Sequence, residues 1–277
     1  MEIRKNSGPV KWILIGVSVV FLAVMLILPL VYVMCTAFGE GIGVFLEAVT
    51  DPYTLKAIGL TLEVTVIAVV VNTVFGIFAS WCITRFTFRG KKVVSTLIDL
   101  PLTVSPIIAG LIYVLTFGRQ SFLYPYLKAA GIKIIFAVPG IVLATIFVTF
   151  PFISREIIPV LNAQGTDEEE AAALMGAGGF HIFRKITLPH IKWALLYGIV
   201  LCTARAMGEF GAVSVLSGHL RGKTNTMPLY IELLYQGYDF TGAFAVSAIL
   251  VLMAVVILVL RSVLEYKGAK SGEQVHR

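Results

Sequence analysis

Residues 12–37, WILIGVSVVFLAVMLILPLVYVMCTA, carry no charged side chain. A helix needs about 20 mostly apolar residues to cross the hydrocarbon of a bilayer. This stretch is long enough to cross with some tilt, and Pro29 offers a place to kink. Further charge-free runs lie at 64–84, 100–118, 134–154 and 240–260, and 193–218 is broken only by Arg205 and Glu209. Taken to their natural ends, these runs predict six spans, at about 12–37, 58–84, 97–118, 134–154, 193–218 and 240–261. They form one transmembrane domain covering 1–277.

The whole composition agrees. Hydrophobic residues make up 58% of the 277 and charged residues 14%, and the mean hydropathy is +0.91. A soluble domain is about 25% charged. The chain is too apolar for disorder, and its three cysteines are too few for a disulfide scaffold. Cys35, Cys82 and Cys202 lie far apart in apolar runs and read as small buried hydrophobes. The fold class expected is an all-α polytopic membrane protein.

The first run follows Arg4, Lys5 and Lys11, as a secretory signal would. Its apolar stretch is longer than a signal's 7–15 residues and no small-residue cleavage site follows, so it reads as an uncleaved first span. The net charge of +6 reflects loop residues that set orientation, not an affinity for nucleic acid. With the N-terminus inside, the inner segments hold 15 Lys and Arg and the outer ones 6. The cytoplasmic side of a membrane protein carries that excess, so both termini are expected there.

One connection is unusually long, the inner segment 155–192. Thr166-Asp167-Glu168-Glu169 has the spacing of a capping box, in which hydroxyl and carboxylate each satisfy a free N–H. Asp167 to Glu170 place negative charge at the positive end of a helix dipole. Ala171 to Met175 are strong helix formers. Gly176, followed by Gly178 and Gly179, ends that helix. A second short amphipathic piece runs through Phe180, Ile182, Phe183 and Ile186. Pro189 closes it where a proline suits the next helix. Four consecutive acids suit docking to another protein better than resting on an anionic inner leaflet.

Glu170-Ala171-Ala172, then Gly176, then Ile186, Leu188 and Pro189 resemble the EAA---G---------I-LP signature of ATP-binding-cassette importer permeases, in the loop two spans before the C-terminus. Further stretches, such as 188–198, 204–213, Thr84-Arg85-Phe86 and Asp99-Leu100-Pro101 with Ser105-Pro106 and Gly110, resemble the sulfate/thiosulfate permease group and its molybdate relatives over about 10–265. The likeness is greatest to the second permease subunit of the sulfate/thiosulfate importer. The resemblance implies a type I importer permease fold and a cytoplasmic coupling-helix loop that docks into the ATP-hydrolysing subunits. Glu170, Ala171, Ala172, Gly176, Ile186, Leu188 and Pro189 would be its coupling residues. It also implies two ATP-binding subunits carrying ATP-Mg, a second similar permease and an extracytoplasmic binding protein, all at a bacterial inner membrane.

The chemistry fits an energised importer. Moving a dianion against a 100 mV inside-negative potential costs about 5 kcal/mol. A thousandfold gradient adds about 4 kcal/mol. The chain holds no nucleotide site of its own. The segment Gly218-His219-Leu220-Arg221-Gly222-Lys223-Thr224 falls one residue short of a phosphate-binding loop and lies on the predicted outer side. No cofactor or metal is expected in this chain.

Ionisable residues inside the spans are functional candidates. Arg205 and Glu209, four apart, can pair on one helix face, or Arg205 can help an anion along the route. Asp99 reads as an acceptor for loop N–H groups. A break at Ser105, Pro106 and Gly110 could expose backbone to a pore. Gly208 and Gly211 suit close helix packing. Ser105, Pro106, Arg205, Gly208 and Glu209 are therefore the candidate pore residues. A secondary anion transporter would need an inverted repeat, which is not visible. For an intramembrane enzyme, a buried Ser–His pair or a histidine metal site is unavailable, because His181, His190, His219 and His276 all lie outside the spans.

Overall fold

The computed structural model describes residues 9–275, so Arg4, Lys5, His276 and Arg277 lie outside the described residues. Every regular element among the described residues is a helix. In chain order these are α1 Lys11–Gly39, α2 Ile42–Thr50, α3 Pro52–Arg85, α4 Lys91–Thr103, α5 Pro106–Phe117 and α6 Tyr124–Ala129. They continue as α7 Val138–Gln164, α8 Asp167–Leu174, α9 Gly179–Met207, α10 Gly211–Ser217, α11 Met227–Gln236 and α12 Phe240–Val275. Among them α1, α3, α7, α9 and α12 are each long and apolar enough to cross a membrane.

The third expected span is bent. α4 and α5 meet at 109°. The reason is local: Pro106 cannot donate to a helix ladder, and it forces the residue before it out of the helical region. Ser105 accordingly sits at φ −57°, ψ 132° and Pro106 opens α5. The fifth expected span also differs from its reading. Its helix begins at Gly179 and ends at Met207, and the short α10 follows a break over Gly208–Phe210. The amphipathic piece 180–186 is thus the first part of α9. Pro189 does not separate it from the span. A π turn over Phe183–Thr187 precedes Leu188-Pro189, and another over Ala23–Ile27 precedes Leu28-Pro29. The wider turn relieves the clash of a proline ring with the preceding carbonyl.

α7 is the centre of the bundle, with half of its apolar window buried. Small residues allow the close crossings. A Cβ on Gly76 of α3 would lie 2.8 Å from the Ile153 side chain, and one on Gly198 of α9 would lie 3.1 Å from the Ile153 Cα. Ile153 is therefore clasped between two glycines, as expected where packing and not hydrophobicity holds helices together. Nearby, Asn72 Nδ2 donates to Thr149 Oγ1 at 2.7 Å and to the Ile146 carbonyl at 3.2 Å, with Cys202 Sγ 3.8 Å away. Cys202 is buried as expected, but Cys35 and Cys82 are exposed on the bundle's outer surface. α1 packs along α12, with the Tyr32 ring 5.9 Å from that of Phe244.

Gly110 of α5 meets α10 so closely that a Cβ there would lie 2.6 Å from the Ala212 carbonyl. Backbone cannot yield as a side-chain tip can. Gly110→Ala is expected to destabilise the protein by about 1–3 kcal/mol, read as a lowered thermal unfolding midpoint of the purified protein. An unchanged midpoint would refute the close approach of α5 and α10.

Candidate functional site: a coupling loop and two facing helix breaks

The chain turns out of α7 through Gly165, at φ +74°, and enters α8 at Thr166. The predicted capping box does not form. Thr166 donates its hydroxyl to Glu170 Oε1 at 2.7 Å and caps no helix N–H. Glu169 turns inward instead. Arg85, the last residue of α3, donates to it through Nε at 2.8 Å and Nη2 at 3.1 Å. Arg85 Nη1 also donates to the Leu161 carbonyl on α7 at 3.0 Å. Thr187 Oγ1 donates to Glu169 Oε1 at 2.8 Å. One ion pair thus joins α3, α7, α8 and α9. The Arg85 and Glu169 side chains are only 8% and 12% exposed. A two-pronged guanidinium–carboxylate contact of this kind is both strong and geometrically specific. The Trp81 ring adds an aromatic bridge from α3 to Phe183, 5.7 Å between centroids.

α8 ends as the glycines predict. Gly176 takes φ +87°, the Ala177 N–H donates to the Ala172 carbonyl and the Gly176 N–H to that of Ala173, both at 3.0 Å. This is a Schellman ending, which favours glycine at that position. The predicted coupling residues divide by exposure. Glu170, Ala171, Gly176 and Pro189 are exposed, Ala172 is buried, and Ile186 and Leu188 are half-buried. Leu188 packs against the core cluster around Ile153 and Ile157. The sequence reading missed Arg85, Glu169 and Thr187 as a unit. It also took Leu174 and Met175 only as helix formers, yet they are 90% and 83% exposed at the loop tip. Two large apolar residues just before a helix-ending glycine were the available signal.

The pore candidates gather at the two helix breaks. A Cβ on Gly211 would lie 2.9 Å from Pro106 Cβ, so the 104–105 break and the 208–210 break abut. Glu209 is buried and serves two partners. Its Oε1 accepts the Ala212 N–H at 2.8 Å, steadying the start of α10, and its Oε2 pairs with Arg205 Nη1 at 2.6 Å. Ser105 and Gly208 are exposed and Arg205 is half-buried. Gly211 is closely packed as expected, but Gly208 is not: a Cβ there would meet only the Ala204 carbonyl of its own helix, at 3.8 Å, and the residue ends α9. Asp99 accepts from Arg155 Nε at 3.0 Å and not from loop N–H groups. Asp99 and Glu209 are thus both paired with arginines.

The near phosphate-binding loop is used for folding. Thr224 Oγ1 donates to the Ser217 carbonyl at 2.7 Å. Arg221 lies 4.3 Å over the Tyr53 ring and donates to Tyr230 Oη at 3.3 Å, a bond that raises its pKa further. Among the described residues no group of three His, Cys, Asp or Glu side chains is placed to hold a metal ion.

Residues 72–267 match the family model described as the binding-protein-dependent transport system inner membrane component. The chain belongs to this family. It is 49% identical to the sulfate transport system permease protein CysW of Escherichia coli strain K12, over 95% of this chain and 92% of that protein. It is 46% identical to the CysW of Synechococcus elongatus, over 98% and 94%. The fold matches a chain of a bacterial alginate transporter, solved with a pentasaccharide-bound periplasmic protein, with a TM-score of 0.77 over 91% of this chain and 92% of that one, at 18% identity. This inner-membrane permease is accordingly a multi-pass, pore-forming component, and ATP hydrolysis belongs to a separate subunit.

Removing one partner of a buried pair leaves an uncompensated charge. Arg85→Gln and Glu169→Gln are each expected to cost the permease about 3 kcal/mol or more, and the double variant less than the two together. Denaturation of the purified wild type and three variants measures this. Strictly additive losses would show that the pair does not act as a unit.

Proposed function

We propose that this permease is one of two unlike pore subunits of an ATP-driven importer of sulfate and thiosulfate. Its close likeness over nearly its full length to sulfate permeases carries the reading. Two ATP-binding subunits, holding ATP-Mg, would each receive one coupling loop. A soluble extracytoplasmic sulfate-binding protein would deliver the anion. Both termini would lie in the cytoplasm, with the coupling loop, and the spans would be those predicted, the third as the bent pair of α4 and α5. Each coupling loop offers the ATPase a raised tip of Leu174 and Met175, rimmed by Glu170, Ala171 and Gly176. Pro189 and the half-buried Ile186 and Leu188 form its base, and Ala172 its inner face.

The mechanism follows from the connections below that tip. When the ATPases close on ATP, each tip moves with its groove. Arg85 and Glu169 carry that movement to the ends of α3, α7 and α9 together, so the loop cannot shift without the bundle. The paired breaks at Ser105-Pro106 and Gly208-Glu209 lie where irregular backbone at membrane depth can line a water-filled route. Arg205, held by Glu209, gives the anion an electrostatic aid there. The pore binds weakly and selection rests with the binding protein.

Labelled sulfate uptake tests the reading in cells deleted for this gene. Loss of uptake, with competition by thiosulfate in the parent strain, is expected. Intact sulfate uptake with lost molybdate uptake would move the substrate to molybdate while keeping the fold and loop. Glu170→Lys, which reverses a charge beside the tip, and Gly176→Asp, which puts a side chain at positive φ at a cost of about 1–3 kcal/mol, are each expected to lower uptake about tenfold or more with the protein still inserted. Normal uptake in both would refute the coupling surface.

A further inference from the structure

At the end of the bundle away from the coupling loop, α5, α6 and the segment leading into α7 line a cavity of about 530 Å³. Its walls are apolar and include Val114, Phe117, Leu127, Ile134 and Ile135, while Arg119, Lys128 and Lys133 stand among its lining residues. These three are half of the six basic residues predicted on the outer side. None of the three forms an ion pair among the described residues. One wall is built with care. Phe136 takes φ +57°, its N–H donates to the Leu216 carbonyl at 2.9 Å, and its ring presses where a Cβ on Gly218 would stand. A bulky residue at positive φ persists only when its surroundings fix it.

Depth and chemistry together identify an occupant. Val114 and Phe117 close α5, and Ile134 and Ile135 lie just before α7, so with the spans given under the proposed function the cavity sits at the level where a span meets the headgroups. A bare inorganic anion gains nothing from apolar walls. An acidic protein surface would meet the cations without reaching into a crevice. A phospholipid with a negative headgroup satisfies both, with the phosphate among the three cations and an acyl chain along the walls.

We propose that this cavity is a binding site for an anionic phospholipid of the outer leaflet. The sidedness rests on the orientation given under the proposed function. The binding itself does not, so it is read on the purified importer without any sulfate. Native mass spectrometry of the complex released from nanodiscs of mixed phosphatidylglycerol and phosphatidylcholine counts retained lipid. The wild type is expected to retain phosphatidylglycerol over phosphatidylcholine, and Arg119→Gln/Lys128→Gln/Lys133→Gln to lose that preference by about tenfold or more. Leu127→Trp, which fills the crevice but keeps the charges, is expected to lose retention as well. Equal retention of both lipids by the wild type, or an unchanged preference in the triple variant, would overturn the proposal. So would displacement by inorganic phosphate, which would mark a simple anion site, or full retention in Leu127→Trp.

Discussion

The pair formed by Arg85 and Glu169 is the constraint on which the loop end of this permease depends. Burying a charge is costly unless it is paired and its remaining hydrogen-bonding capacity is filled. Here the guanidinium also reaches the Leu161 carbonyl and the carboxylate also accepts from Thr187. Four helix ends are therefore fixed by one contact. That explains why the long segment 165–188 is an ordered part of the bundle. It also explains why Glu169 cannot serve as a helix cap: the guanidinium offers it more than a terminal N–H does.

Deeper in the bundle a different rule holds. Apolar surface gains little by being moved from lipid to protein, so contact quality decides. Gly76, Gly198 and Gly110 allow backbone to approach backbone or branched side chains directly. The breaks at 104–105 and 208–210 lie against one another, where Gly211 meets Pro106, although Ser105 and Gly208 themselves are exposed. Glu209 supplies the acceptor that the start of α10 requires. A residue that looks like a liability in a hydrophobic run is, in its place, a cap and a counter-ion.

The extent of the apolar runs was legible because a bilayer imposes a length on them, and the helix of α8 with its glycine ending because acids, alanines and glycines each act within a turn of the chain. The partners of Asp99 and Glu169 were not legible. Both depend on arginines 56 and 84 positions away, and only the folded bundle decides which local rule yields. The exposure of Cys35 and Cys82 was hidden for a related reason: in a membrane protein an apolar residue is equally at home facing lipid or core. The bend at Ser105-Pro106 could be read from proline chemistry, but its angle could not.

The π turn before Leu188-Pro189 separates the loop portion of α9 from its membrane portion. Such a turn holds one residue more than an α-turn, and each residue of an α-helix advances its faces by about 100°. The faces of α9 before and after this turn are thereby set independently on one continuous rod. Under the proposed function, a rigid shaft with an offset joint transmits displacement while letting each end change its surface, so a lineage could alter its pore without redesigning its contact with the ATPase.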